Sequence, residues 1–119
     1  MTPEELKART KRFALRVLKV ADSLPRTPSG RTLAGQIADS GTSVASNYRA
    51  ACKARSRREF IAKLGIAEEE ADENQFWLEM IMESGSVPAS RLDPLLQEAC
   101  ETTAILAASR KSAASAREP

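Results

Sequence analysis

At 119 residues and 12.9 kDa, with 42% hydrophobic and only 4% aromatic residues, the chain can build one packed domain and not two. It contains no His, which removes His-based metal sites, Ser-His-Asp triads and the Glu-x-x-His motif of di-iron bundles. No apolar run approaches the roughly 18 uncharged residues needed to cross a bilayer, so no membrane span is expected. Ala is abundant and β-branched runs are absent, which favours helix over sheet.

The chain opens on Thr2-Pro3-Glu4-Glu5, a capping box with proline at the first helical position. Leu6, Thr10, Phe13, Val17, Ala21 and Leu24 follow at spacings of three and four, which puts them on one stripe of a helix. Lys7, Lys11, Arg12, Arg16 and Lys19 cover its other faces, and Pro25 with Thr27-Pro28-Ser29-Gly30 ends it in a loop. A second helix is expected from Ser29 or Gly30, with Leu33, Ile37, Ser40, Val44, Asn47 and Ala51 inward. Gly35 and Gly41 weaken it by about 1 kcal/mol each relative to Ala, a cost that close approach of a neighbouring helix would offset.

Ser56-Arg57-Arg58-Glu59 is a second capping box, at which a third helix begins or the second bends. Its inward stripe reads Phe60, Leu64, Ala67, Ala71, Asn74, Leu78 and Ile81, and Gly85 and Pro88 close it. The fourth segment starts between Pro88 and Pro94, where Asp93 and Pro94 fit an N-cap and first position. Leu92, Leu96, Ala99, Thr103 and Leu106 form its stripe. The fold expected is all-α: an antiparallel up-down-up-down four-helix bundle over residues 1–111, followed by a flexible tail over 112–119. Cys52 and Cys100 sit among small and apolar residues and read as reduced core thiols. The N-terminal stretch lacks the apolar region of a secretory signal, so a cytoplasmic location is expected.

The stretch from Gln36 to Gly85 resembles the small four-helix-bundle proteins first noticed within intervening sequences of bacterial 23S ribosomal RNA genes. The resemblance rests on Gln36-Ile37, Ser43-Val44 with Asn47-Tyr48-Arg49, and Ser56 with Glu59-Phe60-Ile61 and Lys63-Leu64. It continues through Glu70-Ala71-Asp72-Glu73, Trp77-Leu78-Glu79 and Ser84-Gly85. One departure is Ala50, where the family commonly carries Glu after Asn-Tyr-Arg. The resemblance implies a bundle that assembles into a ring, often a pentamer, and no enzymatic activity. A related protein, the accessory variability determinant of diversity-generating retroelements, resembles a basic barrel that works with a reverse transcriptase and template RNA.

Charge is distributed unevenly along the chain. Residues 1–63 carry 14 Lys/Arg against 5 Asp/Glu, and residues 64–119 carry 4 against 11. Such asymmetry predicts an oriented contact, with a partner or with another copy of the chain. Five cations, Arg49, Lys53, Arg55, Arg57 and Arg58, surround the break between the second and third helices. They read either as an ordinary solvated corner or as a phosphate-gripping surface whose salt sensitivity a ring would multiply. Tyr48 is the nearest aromatic for stacking, so recognition through backbone charge and shape is expected rather than base sequence.

The acidic run Glu68-Glu69-Glu70-Ala71-Asp72-Glu73 wraps around its helix, which argues against a metal or acid–base site. Glu69 and Glu70 are candidates for contact with the basic half of another subunit, and pairing with the first helix is the competing reading. Trp77 is either half-buried in the bundle or an anchor between subunits. Asn47 and Asn74 fall on core stripes and are expected to fix helix register through buried hydrogen bonds.

The functional expectation is a non-enzymatic accessory factor with no cofactor, metal or small-molecule substrate. Its expected partners are copies of itself and RNA or DNA, or a nucleic-acid-processing protein. The alternative is an interaction module that binds only protein, its charge asymmetry serving assembly.

Overall fold

The computed structural model describes residues 1–116. Four helices, α1 (Pro3–Ser23), α2 (Pro28–Cys52), α3 (Arg57–Ser84) and α4 (Ala89–Ser115), run alternately up and down. Neighbours pack around a square in the order α1, α2, α3, α4, and the backbones of α1 and α3 sit apart on a diagonal. The result is a rod of 54 × 21 × 20 Å, so its two ends are distinct places.

The local chemistry of the sequence starts three of the four helices. Thr2 Oγ1 accepts from Glu5 N at 3.1 Å, Thr27 Oγ1 from Gly30 N at 3.1 Å, and Ser56 Oγ from Glu59 N at 3.0 Å. Each side chain satisfies one of the amide donors that a helix start leaves open. α2 begins at Pro28, one or two residues before the expected start, because proline occupies the first turn without needing its missing N–H. Residues 53–56 separate α2 from α3, so the second capping box opens a new helix and does not bend the old one. Gly85 ends α3 with φ at +75°, a conformation that needs a residue without Cβ.

The fourth helix departs from the sequence reading. It begins at Ala89, after an N-cap at Pro88 that has no capping side chain, and Pro94 lies inside it. Pro94 removes one intrahelical hydrogen bond, a cost normally enough to end a helix. Burial outweighs it here: Val87, Leu92 and Leu95 on either side of the first turns are 5%, 1% and 3% exposed. The inward stripe also uses Leu95 and Thr102, with Leu96 and Thr103 half-buried beside it. Consecutive pairs of similar residues at both positions made the two phases equivalent in sequence. The helix continues through Ser115, four residues past the boundary expected at 111; residues 117–119 of the expected tail lie outside the described residues.

Phe13, Val17, Ile37, Val44, Leu64, Leu78, Ile81, Leu92 and Leu106 are all sealed from solvent and form the core. Into it Asn74 projects from α3, its Nδ2 donating to Ile37 O at 3.2 Å and to Ser40 Oγ at 2.9 Å on α2. Ser40 donates in turn to Gln36 O at 2.8 Å. These bonds tie α3 to α2 inside the core. Asn47 is not part of it. It is half-buried and donates to Ser43 O and Ser43 Oγ on its own helix, while its neighbour Tyr48 takes the core position at 5% exposure.

Both cysteines carry free thiols, Cys52 packs against the core, and only Cys100 departs from the sequence reading. Cys52 is half-buried at the end of α2, and Cys100 is exposed, with its thiol donating to Gln75 Oε1 at 3.3 Å. Cys100 follows the buried Ala99, and one residue turns the helix by about 100°, out of the core.

The two glycines of α2 differ in kind. A Cβ on Gly41 would lie 2.7–3.0 Å from three side-chain atoms of Val17, so the glycine lets α1 and α2 approach. A Cβ on Gly35 would meet nothing within 4 Å, which removes the helix-approach explanation there. Opposite effects are therefore expected on urea denaturation. Gly41→Ala destabilises by about 1–2 kcal/mol, overpacking outweighing the propensity gain. Gly35→Ala stabilises by about 0.5–1 kcal/mol through propensity alone. Equal shifts for the two variants would contradict the close α1–α2 contact.

Candidate nucleic-acid interface

Antiparallel topology brings the start of α1, the end of α2, the start of α3 and the end of α4 to the same end of the rod. Arg49, Lys53, Arg55 and Arg58 are all exposed there. Lys7, at the start of α1, joins them and feels the charge of Arg49, although its ammonium is raised in pKa chiefly by its hydrogen bond to Glu4. None of the four exposed cations is in an ion pair among the described residues. Lys7 was not singled out for this end from the sequence, yet its place near the start of α1 puts it here.

Arg57 has a different job. Its Nε donates to Ala113 O at 2.7 Å and its Nη2 to Ala114 O at 3.1 Å and to Ala116 O. A guanidinium against the last carbonyls of α4 satisfies acceptors that have no intrahelical donor and neutralises the negative end of the helix. The expectation that Arg57 belongs to the outward cluster is thereby corrected: it is a cap on α4.

Between these elements lies an open pocket of about 380 Å³. Pro3, Tyr48, Ala51, Ala54 and Phe60 supply its apolar wall, with Cys52, Ser56 and Arg57 alongside. Burial and the adjacent Cys52 hold the Tyr48 phenol above its ordinary range, so it stays protonated as a donor. Tyr48 is therefore no exposed stacking platform, because it faces the core and this pocket.

The charge asymmetry of the sequence becomes transverse. α1 and α2 form a basic layer with the start of α3, and the rest of α3 with α4 forms an acidic layer. The seam between α1 and α4 is bridged by Arg9, whose Nε and Nη2 each reach Glu98 at 2.8 Å, with a further bond to Glu101 at 3.0 Å. Glu98 is held below its ordinary carboxylate range by that Arg9 hydrogen bond. Among the described residues, the ion pairs of α1 to another helix run to α4 and not to the acidic run.

The acidic run itself diverges. Glu68 turns to α4 and pairs with Arg110 at 2.6 Å. Glu70 is half-buried, and burial together with Glu73, Glu69 and Asp39 raises its pKa. Glu69 and Glu73 face outward, with Ile66, Phe76 and Met80 on the same stripe at spacings of three and four. Those three apolar residues are 40%, 51% and 41% exposed. Trp77 is half-buried against the core, its Nε1 donating to Glu73 Oε1 at 3.3 Å and its ring edge-on to Phe76 at 4.9 Å. Trp77 is half-buried within the chain, and the exposed aromatic on this face is Phe76.

Among the described residues, no helix is long and apolar enough to cross a membrane.

A family model described as 23S rRNA-intervening sequence protein matches residues 5–108. Among solved structures, the chain is similar to a protein of unknown function from the S23 ribosomal protein family of Bacteroides thetaiotaomicron VPI-5482. The two are 30% identical, with a TM-score of 0.86 over 93% of this chain and 99% of that one. No curated protein matches the sequence.

Proposed function

Because this chain belongs to the 23S rRNA-intervening sequence protein family, we propose that it is a non-enzymatic, self-associating bundle that binds nucleic acid through one end. The observation that carries this reading is the set of exposed cations without ion-pair partners, Arg49, Lys53, Arg55 and Arg58, gathered at one pole. Arginine forks grip phosphate with parallel hydrogen bonds, and each neutralised phosphate releases counterions. Self-association multiplies the patch.

Assembly is supported by complementary outer faces. The stripe Ile66, Glu69, Glu73, Phe76 and Met80 on α3 is apolar and acidic. On α1, diagonally opposite, Leu15 and Leu18 are 53% and 36% exposed beside Lys11 and Lys19. Different faces that complement one another make a head-to-tail contact, which closes into a ring when the rotation between subunits allows. Five subunits is the number implied by family resemblance.

The reading is tested by size-exclusion chromatography with light scattering, with and without a structured RNA, at low and moderate salt. A particle of several subunits that retains RNA and releases it steeply with salt is expected. A multimer indifferent to both RNA and DNA would instead make the protein an interaction module for protein partners alone.

A further inference from the structure

We infer that the pocket at the basic end takes one unpaired base of a single-stranded nucleic acid while the cations around it hold the flanking phosphates. The inference rests on the nucleic-acid reading of that end and adds what the reading lacks, a reason to prefer single strands. Its key observation is an alternation in the chain between α2 and α3. Cys52, Ala54 and Ser56 line the pocket, while Lys53 and Arg55 between them are exposed. Arg49, one turn before Lys53, and Arg58, just after the pocket, extend the exposed set on either side. A strand that placed a base among the first group would lay its phosphates against the second.

The pocket chemistry fits a base. The faces of a base are apolar, matched by Pro3, Ala51, Ala54 and Phe60 in the lining, and its edges are polar, matched by Tyr48, Cys52 and Ser56 in the same lining. The volume of about 380 Å³ falls at the small end of the range for ligand pockets, about 300–1,000 Å³. A base held in a double helix cannot enter without being flipped out, which costs unstacking and unpairing energy. The pocket therefore selects single strands, loops and bulges over duplex.

Cys52 supplies the probe. In the full chain carrying Cys100→Ser, which removes the exposed thiol, alkylation of Cys52 by N-ethylmaleimide is followed by mass spectrometry. It is measured alone and at saturation with a short unstructured RNA, an abasic strand of equal length, and a mononucleotide. Affinities for the two strands are measured in parallel by fluorescence anisotropy. The expected result is that the base-bearing strand slows alkylation and the abasic strand does not. The base-bearing strand should also bind roughly 5- to 150-fold more tightly, the value of one stacked base. Equal affinities with unchanged Cys52 reactivity would overturn the pocket assignment and leave the basic end standing as a phosphate surface. Equal protection by the mononucleotide would overturn the strand assignment in favour of a nucleotide site. Absence of binding by either strand at low salt would overturn both the inference and the functional reading beneath it.

Discussion

Replacing Arg49, Lys53, Arg55 and Arg58 together by Ala is expected to weaken RNA binding by about two orders of magnitude at low salt and to leave the bundle folded. The reasoning is electrostatic. Each cation that neutralises a phosphate steepens the dependence of log affinity on log salt by about 0.7 for single strands and 0.9 for duplex, so losing four flattens the slope by roughly 3. All four side chains are exposed and outside the core, so little stability goes with them. Arg57→Ala is the control with the opposite signature. It removes charged hydrogen bonds to the last carbonyls of α4, so it is expected to cost about 1–2 kcal/mol of stability. The salt slope should barely change. Anisotropy titrations across a salt series and thermal melts separate the two effects. A quadruple variant that binds RNA with an unchanged slope would remove the basic end from any role in binding, and a protein-only partner would become the better reading.

The contrast between Arg57 and its neighbours also marks what a sequence can and cannot carry. Two helix starts were legible because caps act locally: Thr2 and Ser56 reach amides three residues away, while Thr27, which does the same, reads as part of a loop. The α1 and α3 core stripes were legible because helical period is local too. Misreadings arose where a distant element decided the outcome. Nothing near Arg57 says that the end of α4 will arrive beside it, and Asp93-Pro94 looks like a helix start until Val87 and Leu92 are seen buried before it. Asn47 and Tyr48 illustrate a subtler case. Both fall close enough to the inward line of α2 to be buried, and the larger ring fills the space between helices while the amide turns back to Ser43. The pocket was invisible for the same reason, since its walls come from α1, α2 and α3 together. Charge asymmetry, by contrast, was readable as a total, and only the packing order turned it into two layers.

Phe76→Asp is expected to break the assembly, because it places a carboxylate at the centre of the α3 outer stripe, where Glu69 and Glu73 already lie among Ile66 and Met80. A truncated central aromatic anchor in an interface typically costs about 2 kcal/mol or more, which is roughly 30-fold per contact. The added charge next to Glu73 makes the loss larger. The monomer should stay folded, since Phe76 is 51% exposed and outside the core. Light scattering that gave the same particle mass for Phe76→Asp as for the parent would remove this face from assembly.

The proposed head-to-tail contact allows a stricter check. Glu69→Lys with Glu73→Lys on one chain, and Lys11→Glu with Lys19→Glu on another, should each repel like charges across every contact and dissociate alone. Mixed, each reversed face meets its complement, and each unreversed face meets an unreversed one, so assembly returns by strict alternation of the two chains. Alternation cannot close an odd ring. If the parent particle holds five subunits, as the family resemblance implies, the mixture must yield an even number or an open chain. A two-fold contact between identical patches makes a different prediction: the variant that leaves the contacting patch unreversed would keep the parent mass on its own.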